Sequence, residues 1–236
     1  MEYEKKEFTA YRQGRTIRNQ FYIDDDYNVP DARHDVKRVI LGDGVLQIED
    51  IKRVENYVRV SGKMNFKVLY VTDEGEMRMA FLEGNIPFEE MVYVEEEPEE
   101  NLFIKAMECD VNVTMINSRK LNIKALADIA LCSEGRQEEK LTMDVEGEGG
   151  LYKKYTDKDI LKLFTVKKDT YRIKEEITLG GTKETIGTLL WTEVCPRKLD
   201  TKLSQDLMLI QGELLLFCFY ESLDGKTDWL EQSIPY

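Results

Sequence analysis

One histidine, four cysteines, two acidic clusters and two tryptophans are the residues of this chain whose types could do chemistry. His34 stands between Arg33 and Asp35 in a polar segment, with no second histidine to complete a triad or a multi-histidine metal site. An exposed or capping role is expected for it. No phosphate-cradling glycine loop, nucleophile elbow or dinucleotide fingerprint is present. Cys109, Cys132, Cys195 and Cys218 follow no C-x-x-C spacing and are expected to be small buried hydrophobes. Cys109 and Cys132 fall on opposite faces of neighbouring strands, because side chains alternate along a strand, so a disulfide between them is not expected.

The acidic triplet Asp24-Asp25-Asp26 invites a calcium reading. Asp24, Asp26 and Asn28 stand at positions one, three and five of an EF-type loop, with Asp35 at twelve. Position six is Val29, however, where the sharp turn needs glycine. The expectation is a solvated acidic turn, or charges that block unwanted pairing at a strand edge. Glu95 to Glu100, interrupted by Pro98, reads as a solvated loop. Trp191 and Trp229 could stack on a sugar, but isolated tryptophans in β segments are usually core or interface residues. No catalytic residue, cofactor site or metal site is expected, and the chain is not expected to be an enzyme.

The bulk properties narrow the partners. The chain has 236 residues, 33% of them charged and 42% hydrophobic, enough for one large domain or two ordinary ones. A net charge of −13 repels a phosphate backbone, so neither nucleic acid nor an anionic membrane is expected as a partner. No apolar run spans a bilayer. Met1-Glu2-Tyr3-Glu4-Lys5-Lys6-Glu7 has no apolar core of a secretory signal, so retention in the cytosol is expected.

The elements that position these residues are strands. Residues 1–20 are polar and read as an arm, either disordered or a short helix. Residues 35–41 could open a strand or a short helix. Val58, Val60, Met64, Phe66, Val68 and Tyr70 then alternate with Arg59, Ser61, Lys63, Asn65 and Lys67, the pattern of a long strand with one face in a core and one in water. Gly62 sits in the apolar row, where a bulge or bend belongs. Thr72-Asp73-Glu74-Gly75 turns the chain into Met77–Leu82, and Ile86-Pro87-Phe88 ends that arm. A hairpin about Asn117-Ser118-Arg119-Lys120 joins 103–116 to 121–132. Its apolar faces are Phe103, Met107, Cys109, Val111, Val113 and Met115 against Leu121, Ile123, Ala125, Ala127, Ile129 and Leu131. Residues 133–150 read as a linker, and Thr156-Asp157-Lys158-Asp159 caps an expected short helix near 157–164.

After it the β pattern returns in a repeat. With a shift of 150 residues, positions 21–75 lie over 171–225 without a gap. Strict identities number six (Ile23, Asp50, Lys52, Gly62, Tyr70, Gly75), so the case rests on apolar, acidic and glycine classes recurring in register. Ile86-Pro87-Phe88 recurs as Ile234-Pro235-Tyr236 after losing two residues. The expected fold is all-β: two tandem homologous sandwich- or barrel-like domains with a short linking helix. The expected organisation is an arm over 1–20, a first domain over 21–134, a linker over 135–170 and a second, incomplete domain over 171–236. The second domain has no counterpart of the 103–132 hairpin. Where the first puts Arg59, Asn65 and Lys67 towards water, the second has Leu209, Leu215 and Phe217, and its other face (Met208, Ile210, Leu214, Leu216, Cys218) is apolar too. Both faces need cover, from the first domain, from another chain or from further sequence of the same protein, so Leu209, Leu215 and Phe217 are the interface candidates.

The ordered series Val29-Pro30-Asp31, Asp35, the long strand with Gly62 and Val68-Leu69-Tyr70-Val71, Ile86-Pro87-Phe88, and Asn117-Ser118-Arg119-Lys120-Leu121-Asn122-Ile123-Lys124-Ala125 resembles the SPOCS domain of sporulation proteins from clostridia and their relatives. The resemblance covers 22–134 well and 171–236 weakly. It departs from the family where His34 replaces a second proline, and no LysM module accompanies it. It implies a structural protein of the spore coat or envelope, made in the mother cell and assembled at the forespore surface. The implied partners are spore-coat morphogenetic proteins, the stage IV morphogenetic ATPase among them, or further copies of the chain. That ATPase contact belongs largely to the LysM end in relatives, so no binding residue is carried over. The alternative from another class is a carbohydrate- or peptidoglycan-binding module.

Overall fold

The protein is described by a computed structural model over residues 2–73, 78–95, 101–147, 149–150, 152–167, 169–181, 183–205 and 207–236. Its regular elements there are all strands, as the alternating patterns require. β1 (Glu2–Gln13), β2 (Ile17–Asn28), β6 (Asn101–Asn117) and β7 (Lys120–Glu146) form a four-stranded sheet. β3 (Val36–Val54), β4 (Tyr57–Thr72) and β5 (Met79–Tyr93) form a first meander, and β8 (Ile186–Ser204), β9 (Leu207–Ser222) and β10 (Thr227–Pro235) form a second.

The core lies between the four-stranded sheet and the first meander. Val58, Val60, Met64, Phe66, Val68 and Tyr70 of β4 are all 0–1% exposed. They share one cluster with Leu121, Ile123, Ala125, Ala127, Ile129 and Leu131 of β7. Two sheets packed through such rows are a sandwich. Removal from water of each large side chain in those rows contributes about 1.5–3 kcal/mol, which makes this interface the main source of stability. Gly62 interrupts the β4 row because a Cβ there would lie 2.2 Å from the Gln47 carbonyl oxygen on β3.

The two meanders match at the level of backbone pairing. β3 and β8 begin and end 150 residues apart, as do β4 and β9. Val36 pairs with Thr72, and Ile186 with Ser222. Register shifts fall between Val36 and Arg38 and between Val39 and Leu41, and again between Ile186 and Thr188 and between Leu189 and Trp191. Glu55 and Gln205, at the turns that follow β3 and β8, both have positive φ, 52° and 45°. Gly62 pairs with Phe88, and Gly212 exchanges two backbone hydrogen bonds of 2.9 Å with Tyr236.

Four local expectations are corrected. The arm over 1–20 is strand: β1 runs antiparallel to β7 over Glu134–Glu146, and β2 runs antiparallel to it over Lys120–Leu131. For the same reason 135–146 is the far half of β7 and not a linker. Its polar sequence shows no alternating row, because backbone pairing with β1 rather than burial holds it in the sheet. The short helix near 157–164 is absent; these residues have no regular structure. The Leu161 carbonyl instead accepts the Tyr11 amide at 2.8 Å, and Leu161 and Phe164 are 77% and 92% exposed. An eight-residue helix with no surface to pack on does not outweigh the cost of its nucleation. Finally, a register shift between Ile104 and Ala106 turns Phe103 off the expected row and brings Leu102 and Ile104 to the core. The expected turn residues Glu74 and Gly75, and Glu96 to Glu100, lie outside the described residues.

Candidate functional site

The polar residues of the motif series converge at one end of the sandwich. The hairpin between β6 and β7 turns on Ser118 and Arg119, with the Asn117 side chain accepting the Arg119 amide at 2.9 Å, the local bond that favours asparagine at turns. This turn holds the Arg119 guanidinium against the loop from β2 to β3. Nη1 donates to the Arg33 carbonyl at 2.7 Å and to Asp35 Oδ1 at 3.1 Å. Nη2 donates to the Val29 carbonyl at 3.0 Å and to Asp31 Oδ1 at 3.3 Å. The Ser118 hydroxyl donates to Asp35 Oδ2 at 2.7 Å. The Val29 and Val36 amides donate to the Arg119 and Ser118 carbonyls, both at 2.9 Å. The Ser118 hydrogen bond, helped by Arg119, holds the Asp35 carboxyl below its ordinary range against the opposing effect of burial.

This arrangement is a clip. The planar fork of arginine reaches four acceptors at once, which lysine cannot do. Its polar groups are spent on one another, and what they accomplish is to fix the entry of β3 against the exit of β6.

Beside it lies the acidic row. Asn122 donates to Asp24 and Asp26 at 2.8 and 3.0 Å, and Lys124 and Lys120 pair with the same two carboxylates at 3.1 and 2.7 Å. Both carboxyls are held low, Asp24 chiefly by Asn122 and Asp26 chiefly by Lys120. Two lysines therefore stand where a calcium ion would have to compete. Among the described residues no group of three or more His, Cys, Asp and Glu side chains is placed to hold a metal.

The remaining candidates are dispersed. The His34 carbonyl accepts the buried Tyr70 hydroxyl at 3.2 Å. All four cysteines are free; Cys132 and Cys218 are buried, Cys109 is half-buried and Cys195 is exposed. Burial pushes the Cys109 thiol up to about 11, which keeps it protonated and unreactive at neutral pH. Trp191 is buried where the two meanders touch, and Trp229 is 53% exposed and stacks on Phe217 at 6.3 Å.

Of the interface candidates, Phe217 packs with Leu69, Leu190 and Trp191, so part of that face of β9 is covered by the first meander. Lys67 reinforces the contact: its ammonium lies 4.7 Å from the centre of the Trp191 ring and donates to the Thr192 carbonyl at 2.6 Å. Leu215 is half-buried and Leu209 is 55% exposed. Sequence reasoning did not anticipate Lys67 or Arg119 as anchors. Asn117-Ser118 before Arg119 was a turn signal, but nothing local says which loop the guanidinium meets.

The fold and site define an all-β protein built around a sandwich, with a motif that locks loops together. Residues 35–117 match the family model described as SipL, SPOCS domain. That segment is thus similar to the SPOCS domain of a sporulation protein, and it begins and ends at the two sides of the clip. No curated protein and no solved structure matches the chain. Among the described residues no helix is long and apolar enough to cross a membrane.

Proposed function

We propose that this protein is a non-enzymatic structural module of spore-coat or spore-envelope assembly that acts through protein–protein contacts. The observation that carries the reading is the SPOCS match together with what the residues at its two ends do: Arg119 and Ser118, just past the matched segment, bind Asp35 at its start and tie two loops together. The proposed organisation is a first SPOCS-like unit over 21–134, whose sheet β1 and the far half of β7 extend, and a second SPOCS-like unit over 171–236. The matching register shifts of the two meanders support that division. The proposed site of action is the mother-cell side of the forespore surface. Partners there are morphogenetic proteins of the coat, the stage IV ATPase among them, or further copies of this chain. Nucleic acid is a poor partner for a chain of net charge −13.

A second reading has one observation in its favour. The exposed Trp229 ring, beside Lys183, could stack on a sugar of the envelope. Retention of the chain on peptidoglycan, lost in Trp229→Ala, is its signature.

A fluorescent fusion followed through sporulation tests the main proposal. Fluorescence gathered around the forespore is expected; uniform fluorescence through the mother cell at every stage overturns it.

A further inference from the structure

Several tyrosines of the sheets have their hydroxyls engaged. Tyr11, Tyr27, Tyr70 and Tyr220 donate to Glu134, the Glu83 carbonyl, the His34 carbonyl and Asp228. Tyr57 and Tyr93 are placed differently. They stand opposite each other, Tyr57 at the start of β4 and Tyr93 at the end of β5, and both are exposed, 42% and 55%. Their ring centres lie 5.5 Å apart with the planes at 64°, and among the described residues this is the one contact between two tyrosine rings.

The fold holds this pair in place from both sides. Val58 and Val92, the adjoining residues, turn to the opposite face and are buried in the core cluster. Beyond the pair, the Val94 amide donates to the Asn56 carbonyl at 2.9 Å. The backbone under the two tyrosines is therefore fixed, and directly opposite residues of an antiparallel pair carry their Cβ atoms about 4.5–5.5 Å apart. Rotation about the side-chain bonds alone brings an ortho carbon of one ring onto an ortho carbon of the other.

We propose that Tyr57 and Tyr93 form a site of oxidative cross-linking, open to a one-electron oxidant of the haem-peroxidase class acting with hydrogen peroxide. Each phenol loses one electron and its hydroxyl proton. The two phenoxyl radicals then couple, and a carbon–carbon bond forms between one Cε atom of each ring. The hydrogens at those two carbons pass to the oxygens as the rings regain aromaticity, so both hydroxyls are restored. The peroxide takes up the two electrons and two protons and leaves as two waters. Proximity selects the product, because partners held side by side react at an effective concentration far above that between separate chains. Coupling between chains is opposed further by a charge of −13 on each. The new bond clasps β4 to β5 at the end of the first meander that lies away from Lys67 and the contact with the second.

Coupling at this pair does not depend on the proposed function: a diffuse fusion would defeat that function and leave this chemistry untouched. The full chain is treated with hydrogen peroxide and a haem peroxidase, and its peptides are mapped by mass spectrometry. The expected product is a monomer with the blue fluorescence of a biphenol, lighter by two hydrogen atoms, in which the peptides of Tyr57 and Tyr93 are joined. Tyr57→Phe and Tyr93→Phe keep the rings and their packing, and each is expected to lower the intrachain product about tenfold or more. Tyr22→Phe is expected to leave it unchanged, although Tyr22 is 80% exposed. Unfolding in urea before oxidation is expected to remove the preference for the pair. Joining between chains only, an equal yield in Tyr57→Phe, or the same yield of the 57–93 link from the unfolded chain overturns the proposal.

Discussion

Arg119 donates to Asp35 across 3.1 Å, from a hairpin turn to a loop 84 residues earlier in the chain. The bond closes the sandwich at one end, since Asp35 immediately precedes β3 and Arg119 immediately precedes β7. Because the same guanidinium also holds the Val29 and Arg33 carbonyls, its loss strands backbone acceptors as well as a carboxylate. Arg119→Ala is expected to lower the melting midpoint by about 3–6 °C, and Arg119→Lys to recover less than half of that. Calorimetry of the two variants checks this. In combination with Asp35→Ala the effects should not add, because the two residues share one network.

The same bonds make stability depend on acid. Asp35, Asp24 and Asp26 all have carboxyls held below their ordinary range in the fold. The folded state thus favours the charged forms. Their contribution is fully present above the unfolded carboxylate value, about pH 4, and is lost as pH falls through the lower folded values. Denaturant midpoints should be flat from pH 7 to 5 and decline below pH 4, and Asp35→Asn should make that decline shallower.

Glycine at two equivalent places answers to different neighbours. Gly62→Ala drives a Cβ to within 2.2 Å of the Gln47 carbonyl oxygen, which can retreat only if β3 moves. A cost of about 1–3 kcal/mol is expected from urea unfolding. Gly212→Ala meets the phenol end of Tyr236 at 2.6 Å, and that ring can swing away. It should cost measurably less.

Contact between the meanders depends on Lys67. Lys67→Ala removes both the ring contact with Trp191 and the bond to Thr192, a loss of about 0.5–2 kcal/mol. Tryptophan emission should shift to the red as Trp191 gains water. Leu215→Lys combined with Phe217→Lys should weaken the same contact further, and light scattering beside a melting curve separates loss of packing within the chain from loss of assembly.

Calcium should find no site. Because Lys120 and Lys124 already pair with Asp26 and Asp24, millimolar calcium is expected to leave the melting midpoint unchanged. A stoichiometric rise that disappears in Asp24→Asn with Asp26→Asn contradicts this.

Alternation along the chain was enough to establish the β class, the buried row of β4 from Val58 to Tyr70, and the 150-residue register that β8 and β9 keep down to the first two of their three register shifts. The hairpin at Ser118-Arg119 was likewise legible, because Asn117 binds its own turn. These are local signals: side chains alternate, and turn residues act on their own backbone. Whatever depended on a distant partner was not legible. Residues 2–13 and 134–146 are strands because each supplies the other's backbone bonds from more than 120 residues away, with no apolar row to announce it. The run at 157–164 failed as a helix because no surface was left for it to cover and Tyr11 took the Leu161 carbonyl. The tertiary structure alone decided that Arg119 meets Asp35, and that Phe217 is sheltered by Leu69 while Met208 on the opposite face stays bare. Burial is a property of two surfaces, and a strand specifies only its own.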